Sequence, residues 1–221
     1  MEVLFEDNHI IAVNKLAGEL VQGDKTGDEI LPDKVKAYLK KKYNKPGNVF
    51  LGVTHRLDRP TSGVVLFART SKALSRLNQM FKQHQYNKIY WALVEGKVAE
   101  AKGLKHYLKK NEKQNKSYVS NANESGAKLA TLHFKPVQFL DHYTLLEVEL
   151  ETGRHHQIRC QLASTGSPIK GDLKYGAKRS NKDGSISLHA RSISFEHPVT
   201  KEEIKIVAPP PKDPLWDACL G

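Results

Sequence analysis

The sequence predicts an α+β fold with a mixed, largely antiparallel sheet flanked by helices and loops. Short apolar runs of strand length outnumber the segments with helical periodicity. The helical segments are few and do not alternate regularly with the strands, unlike the pattern of a parallel α/β fold. Neither an internal repeat nor a linker divides the 221 residues. We therefore expect one domain, of a size typical of a catalytic domain, spanning residues 1–221.

Apolar spacing defines the elements of the first half of the chain. Val35 and Leu39 are spaced i,i+4 among lysines, a helical pattern that Pro46-Gly47 ends. An uninterrupted apolar run at 64–68 is typical of a buried strand. Ser71 is the expected N-cap of the helix that follows, with Leu74, Leu77 and Phe81 facing inward. The predicted elements are strands at 3–5 and 10–13, a helix at 33–43, a strand at 64–68, a helix from 71 and a strand at 89–94.

The second half is richer in strands. A lysine-rich stretch at 101–126 interrupts the pattern and predicts an inserted hairpin or loop. A Gly-, Lys- and Ser-rich stretch at 166–187 predicts mostly loop. Pro209-Pro210-Pro211 is expected to end regular structure. The predicted elements are strands at 130–134, 137–140 and 143–150, a helix at 155–163, and strands at 187–195 and 203–207.

Composition favours a polyanionic partner. The chain carries 35 basic and 24 acidic residues, a formal charge of +11. The first 33 residues have a net charge of −6, so the remaining 188 carry +17. Clustered lysines suit phosphate contacts, although they also suit a surface kept for solubility. The two clusters are Lys34, Lys36, Lys40, Lys41, Lys42 and Lys45, and then Lys102, Lys105, Lys109, Lys110, Lys113 and Lys116.

Other features exclude several classes of protein. Two cysteines, Cys160 and Cys219, provide neither a disulfide framework nor a CxxC metal knuckle and suit a reducing cytoplasm. The acidic start is not that of a signal peptide, and no apolar run is long enough for a membrane span. The sequence has no P-loop, no GxGxxG turn and no HExxH motif. We expect a cytoplasmic monomer that uses no nucleotide cofactor and no metal.

The densest group of candidate functional residues is HRLDRPTSG at 55–63. Asp58 stands between Arg56 and Arg59, whose charges favour its ionised form. An ionised, positioned carboxylate is what a nucleophile or a general base requires. The alternative is that Asp58 makes only a turn hydrogen bond, which is a common task for aspartate.

Two further groups follow. TGRHHQIR at 152–159 lies at a strand-to-helix turn, where Arg159 could point at a group over the helix N-terminus. Its adjacent histidines lack partners at zinc-ligand spacing, so ordinary polar packing is the expectation. In NKIYWA at 87–92, strand alternation puts Lys88 and Tyr90 on one face. A tyrosine there could stack on a base or simply lie at an interface.

Four segments, taken in order, resemble the RluA family of pseudouridine synthases. They are HRLDRPTSGVVLFART, NKIYWALVEG, LETGRHHQIRCQL and SLHARSISFEHP. The resemblance spans about residues 3–211. It implies isomerisation of uridine in RNA to pseudouridine, in which the N1 glycosidic bond is cut and C5 joins the same sugar carbon, without a cofactor.

The resemblance also implies roles for individual residues. Asp58 matches the family's essential aspartate, which either attacks C1′ or removes the 2′ proton. Tyr90 is expected to stack on the uracil and assist proton removal at C5. Arg159 is expected to pair with Asp58. Chemistry on a base requires its removal from the stack, and the planar guanidinium of Arg56 could fill the gap.

The expected RNA surface is less specific. Arg59 and Arg154 either contact phosphates or form ion pairs, and Lys88 is a further candidate for RNA binding. The family pattern often has a small residue and a histidine where this chain has Cys160 and Gln161. Many members carry an N-terminal S4 domain, and the core here begins at about Val3, so we expect RNA selection by the core itself and by the 101–126 insertion.

The expected substrate is a stem-loop of large-subunit rRNA or of tRNA. The acidic N-terminal strands are expected to lie away from the RNA. Two other functional classes compete with this prediction. A non-catalytic RNA-binding or RNA-chaperone module would not need the intact Asp58, Tyr90 and Arg159. A hydrolase would need a second carboxylate or a metal cluster, which the sequence lacks at a useful spacing.

Overall fold

The computed structural model describes residues 1–23 and 27–220. The elements, in chain order, are β1 (Glu2–Glu6), β2 (Ile10–Lys15), α1 (Leu31–Lys42), β3 (Gly52–Val53), β4 (Ser62–Ala68), α2 (Ser71–Lys82), β5 (Tyr86–Glu95), β6 (Lys102–Asn111), β7 (Lys116–Ser120), β8 (Lys128–Phe139), β9 (Tyr143–Leu150), α3 (Gln157–Ser164), a 3₁₀ helix (Leu173–Tyr175), β10 (Leu188–Glu196), β11 (Glu203–Val207) and α4 (Pro214–Ala218). This confirms the α+β class.

The chain divides into two compact units. The first unit comprises Met1–Asn87 and Ala190–Pro211, and the second comprises Lys88–His189 and Lys212–Gly221. The prediction of a single domain stays a prediction.

In the first unit the strands follow the order β1-β2-β4-β10-β11, and the short β3 also pairs with β4. The pairs β1·β2, β2·β4, β3·β4 and β10·β11 are antiparallel. Helix α1 packs its Val35 and Leu39 against Ile11 and Phe67 of the sheet. Apolar positions four apart thus cover one sheet face, as the sequence predicted.

Glu6 ties β1 to α1. Its carboxylate accepts hydrogen bonds from Lys42 Nζ at 2.7 Å, Tyr38 Oη at 3.0 Å and Tyr43 Oη at 2.6 Å. Arg69 Nη1 lies 3.2 Å away. Burial by itself would raise the pKa of Glu6, but the hydrogen bond from Lys42 and those from the two tyrosines outweigh it and lower the pKa. The charge of this carboxylate therefore stabilises the folded state.

Gly63 is required at the start of β4. Its φ is +118°, and a Cβ built there would lie 2.3 Å from the carbonyl oxygen of Ala190 in β10. Such a contact is prohibitive for any other residue. The glycine that closes the HRLDRPTSG group therefore allows two backbones of the first unit to approach each other where the Asp58 loop joins β4.

In the second unit the strands follow the order β5-β9-β8-β6-β7, with antiparallel pairs throughout this series. The 101–126 insertion is the β6–β7 hairpin and the segment that follows it, which confirms one of the two forms predicted. Trp216 of α4 packs against Leu93 and Leu145 at the opposite end of this series.

Three local predictions were wrong. The N-cap of α2 is Thr70, whose hydroxyl accepts from the Ala73 amide at 3.1 Å, rather than Ser71. The two strands expected at 130–140 are one strand, β8, because a register shift between Pro136 and Gln138 absorbs the proline. The proline run at 209–211 does not end regular structure, since Asp213 caps α4 by accepting from the Leu215 amide at 2.9 Å.

Replacing Glu6 with glutamine tests the Glu6 contacts. We expect E6Q to lower Tm by about 2–4 °C at neutral pH, which corresponds to about 1 kcal/mol in a chain of this size. Because the folded-state pKa of Glu6 is lowered, this contribution is present above the ordinary carboxyl pKa of 4.5 and is lost as pH falls through the folded-state value. The difference in Tm should therefore narrow in acid.

Glu196→Gln is the matched control, because Glu196 is half exposed and makes one ion pair, with Lys201 at 2.7 Å. Thermal melts at several pH values measure both variants. An E6Q difference in Tm that stays constant down to low pH would contradict the assignment.

Candidate active site

The loop that carries Asp58 connects β3 to β4 in the first unit. Its start is fixed to Leu66 of β4, whose carbonyl accepts from Thr54 Oγ1 at 2.5 Å and whose amide donates to His55 Nε2 at 3.1 Å. Leu57 packs against the apolar core beneath α1. The carbonyl of Asp58 accepts from the Thr61 amide at 3.0 Å and closes a turn. Asp58 itself is partly exposed.

A buried ammonium holds the end of this loop. Lys15, at the end of β2, is fully buried, and its Nζ donates to four main-chain carbonyls. Burial lowers its pKa to about 8. The four carbonyl oxygens lie at 3.0, 3.3, 3.1 and 2.6 Å and belong to Leu16, Asp58, Arg59 and Thr61. Lys15 thus fixes the main chain at Asp58 and at the residues that follow it.

The two arginines beside Asp58 have different partners. Arg56 is exposed and donates from Nη1 to Gln22 Oε1. Arg59 pairs with Asp28 at 2.7 Å, and both side chains are about half exposed. Arg59 therefore forms an ion pair, which is one of the two alternatives that the sequence left open for it. Neither bond is buried, so both guanidinium groups can exchange these partners for a phosphate at small cost.

Tyr90 and Lys88 lie on β5 in the second unit. Tyr90 is 8% exposed and stands opposite Val148 of β9. Burial lowers the pKa of Lys88 to about 7. An amine with that pKa is only partly charged at neutral pH, so Lys88 is suited to a specific hydrogen bond better than to general attraction of phosphates.

Arg159 of α3 has a partner that the sequence did not predict. It is 5% exposed, and its Nε and Nη2 donate to the two carboxylate oxygens of Asp172 at 2.7 and 2.8 Å. Asp172 is 1% exposed. The guanidinium carbon also lies 5.1 Å from the centre of the Tyr175 ring. Asp58 belongs to the first unit and Arg159 to the second, and their pairing stays a prediction.

The turn before α3 is held by an amide side chain. Gln157 Oε1 accepts from Thr152 Oγ1 at 2.8 Å and from the Arg154 amide at 2.9 Å. Arg154 is exposed and donates from Nε to the Leu129 carbonyl at 2.8 Å. Its remaining guanidinium nitrogens suit the predicted contact with phosphate.

The adjacent histidines of this turn pack against each other and against tyrosine. The rings of His155 and His156 stack at 3.8 Å, and His156 Nδ1 lies 3.0 Å from Tyr175 Oη. Burial, followed by the positive charge of Arg159, lowers the pKa of His156 to about 2, so the ring is neutral. Within residues 1–23 and 27–220, no group of three or more His, Cys, Asp or Glu side chains is arranged to hold a metal ion.

Several lysines of the two clusters already have acidic partners. In the first cluster, Lys34 pairs with Glu19 and Lys42 with Glu6. The acids of the N-terminal segment therefore neutralise part of α1, which the charge count alone did not predict. In the hairpin, Lys109 pairs with Glu124.

Sequence reasoning missed Lys15, Asp172 and Tyr175. A lysine among apolar residues at the end of a strand signals a buried charge, and Lys15 follows Ile10–Asn14 directly. Asp172 and Tyr175 lie in a stretch predicted as loop, where no periodicity identifies the inward-facing residues.

Comparison with known proteins identifies the family of the chain. The family model described as RNA pseudouridylate synthase matches residues 9–164. An uncharacterised RNA pseudouridine synthase of Bacillus subtilis, YhcT, is 35% identical and covers 96% of this chain and 70% of its own. The tRNA pseudouridine synthase C of Vibrio parahaemolyticus is 32% identical over 94% of this chain and 89% of its own.

A ribosomal large subunit pseudouridine synthase C of Pasteurella multocida is 34% identical over 100% of this chain and 67% of its own. The structure of human RNA Pseudouridylate Synthase Domain Containing 4 superposes with a TM-score of 0.83 and covers 99% of this chain and 91% of its own. At 22% identity, that likeness shows the fold. No helix within residues 1–23 and 27–220 has the length and apolar character needed to cross a membrane. The chain belongs to the RluA family of RNA pseudouridine synthases, and it is an isomerase whose partner is RNA.

Proposed function

We propose that the chain converts uridine in a stem-loop of large-subunit rRNA or of tRNA to pseudouridine, with Asp58 as the essential carboxylate. The observation that carries the role of Asp58 is the Lys15 ammonium bound to the carbonyls of residues 58, 59 and 61. A catalytic carboxylate must be held close to its productive position, and this loop is held at both ends. The relatives named above supply the two classes of RNA.

The reaction moves one bond and one proton. The N1–C1′ bond breaks, the uracil turns, and the C5–C1′ bond forms. The proton leaves C5 and a proton is gained at N1, so no oxidant or cofactor is consumed. In this proposal Asp58 acts at the sugar, Tyr90 stacks on the uracil and assists removal of the C5 proton, and Arg159 pairs with Asp58.

RNA binding is assigned to exposed cations around this chemistry. Arg56, Arg59 and Arg154 have exposed side chains, each with a hydrogen bond to a protein group, which phosphate oxygens can replace. Lys88, with its lowered pKa, makes one hydrogen bond to the RNA. The protein acts as a cytoplasmic monomer of one catalytic domain.

Asp58→Asn tests the central residue, because the amide has the same shape and no charge. We expect turnover to fall by at least about 10²–10⁴-fold, the range for loss of an acid–base group or nucleophile. RNA affinity should stay within about twofold, because the substitution changes one carboxylate oxygen to an amide nitrogen and removes no cation that binds phosphate. Turnover is measured by tritium release from RNA labelled at uracil C5, and affinity by fluorescence anisotropy.

Asp141→Asn, an exposed aspartate in the β8–β9 turn, is the matched control. Full turnover in Asp58→Asn would contradict the proposal and favour the non-catalytic RNA-binding module.

Lys15→Met tests the loop anchor, since methionine fills similar volume without an ammonium. We expect the free energy of unfolding to fall by about 2–4 kcal/mol because buried carbonyls lose their donor. Turnover should also fall, by about 10²-fold, since a shift of about 1 Å in a reacting group has that effect. Denaturant melts and tritium release measure the two effects. Lys36→Met removes an exposed lysine of α1 as the control, and wild-type turnover in Lys15→Met would refute the anchor.

Arg56 is tested with two variants that separate stacking from charge. Arg56→Ala should weaken RNA binding and turnover. Arg56→Lys should retain the charge, and hence the salt dependence of binding, while turnover stays low because an ammonium cannot stack in the vacated gap. Anisotropy titrations at several salt concentrations and tritium release report the two properties. Unchanged affinity and turnover in Arg56→Ala would show that this arginine has no role.

A further inference from the structure

The β6–β7 hairpin is fastened to the short 3₁₀ helix of the second unit. Lys174 Nζ reaches the carbonyls of Gln114 and Asn115 at the hairpin turn, at 3.5 and 3.2 Å. The Tyr175 hydroxyl accepts from the Ser117 amide at 2.8 Å and lies 3.2 Å from the Ser117 carbonyl. Two consecutive residues therefore hold both the turn and the first residues of β7.

The same short segment holds Arg159. Asp172, immediately before the 3₁₀ helix, binds the Nε and Nη2 atoms of the guanidinium in a bidentate pair. The Tyr175 ring lies against the guanidinium at 5.1 Å, and Lys116 of the hairpin lies 4.9 Å from the centre of that ring. A bidentate pair and a ring contact together fix both the plane and the rotation of the group.

The Tyr175 ring is packed among residues from three further elements. It forms one apolar cluster with Leu108 of β6, Ala130 of β8 and Cys160 of α3. The centres of the Tyr175 and His156 rings lie 5.6 Å apart, with the ring planes nearly perpendicular. Because Tyr175 is 9% exposed and packed against these residues, a shift of its ring would also move the hairpin or α3.

We infer that the β6–β7 hairpin holds the segment Asp172–Tyr175 in place and that this segment in turn positions Arg159. The hairpin therefore contributes to turnover as well as to RNA binding. This rests on the proposed function, in which Arg159 takes part in the reaction. Asp172 and Tyr175 are positioning residues in this account, because they act through Arg159. Lysines of the hairpin that hold RNA would then be linked to Arg159 through Lys174 and Tyr175.

Tyr175→Phe removes the hydroxyl and keeps the ring. We expect kcat to fall by about 10-fold while KM for RNA stays within about twofold, because loss of the hydroxyl's contacts with Ser117 and His156 loosens Arg159 without removing a cation. Tyr118→Phe is the matched control. Tyr118 is on the same hairpin and is exposed, and its hydroxyl donates to Gln114 Oε1 at 2.5 Å. The kcat and KM of Tyr118→Phe should both equal those of wild type.

Asp172→Asn removes the charge from the other side of Arg159. We expect a similar fall in kcat, and the effect of Tyr175→Phe together with Asp172→Asn should be smaller than the product of the two, since both act through one arginine. Independent, multiplying effects would contradict the inference. So would a kcat of Tyr175→Phe within about twofold of wild type, or a rise in KM as large as the fall in kcat.

A second pair of variants and a wild-type assay complete the test of this inference. If Tyr175→Phe does not fold, Lys174→Met is compared with Lys182→Met, an exposed lysine of the following loop. A lower kcat in Lys174→Met alone supports the inference, and equal values overturn it. Wild type is assayed on the same RNA, since an inactive wild type would refute the proposed function, whereas an active wild type with an equally active Tyr175→Phe refutes only this inference.

Discussion

The buried ammonium of Lys15 organises the loop that carries Asp58, the residue on which the proposed chemistry depends. Lys15 has no exposed surface and donates only to main-chain oxygens among the hydrogen bonds described. A lysine in such a position is costly, and its pKa of about 8 reflects that cost. Because main-chain oxygens do not titrate, the loop keeps its shape without a second carboxylate close to Asp58 to bind the ammonium.

In the second unit, Arg159 is held in a different way. Arg159 is held by a carboxylate and an aromatic ring that belong to one four-residue segment, Asp172–Tyr175. That segment is also bonded to the basic hairpin. Arginine suits this role because its planar guanidinium donates two hydrogen bonds to a carboxylate along one edge and contacts an aromatic ring with its face. The orientation of the group is thus coupled to a surface element rich in lysine.

Sequence reasoning predicted the helices and strands better than their exact ends and the breaks between them. Apolar runs such as 64–68 and the i,i+4 pair Val35 and Leu39 gave strands and helices that the structure confirms. The N-cap at Thr70 was missed because the adjacent Ser71 also carries a hydroxyl group that could cap the helix. The continuous strand β8 was missed because its register shift leaves a weak sequence signal. The four motifs identified the family, since their order along the chain is specific. Asp172 and Tyr175 could not be predicted, because their partners are distant in sequence and only the fold brings them together.

The central claim is that this chain forms pseudouridine in cellular RNA through Asp58. Mapping of pseudouridine in tRNA and rRNA from wild-type cells and from cells lacking the gene tests this claim most directly. The account predicts that one or a few sites disappear in the deletion strain and return with the wild-type gene but not with the Asp58→Asn gene. Maps that are identical in the two strains, or sites restored by Asp58→Asn, would contradict it.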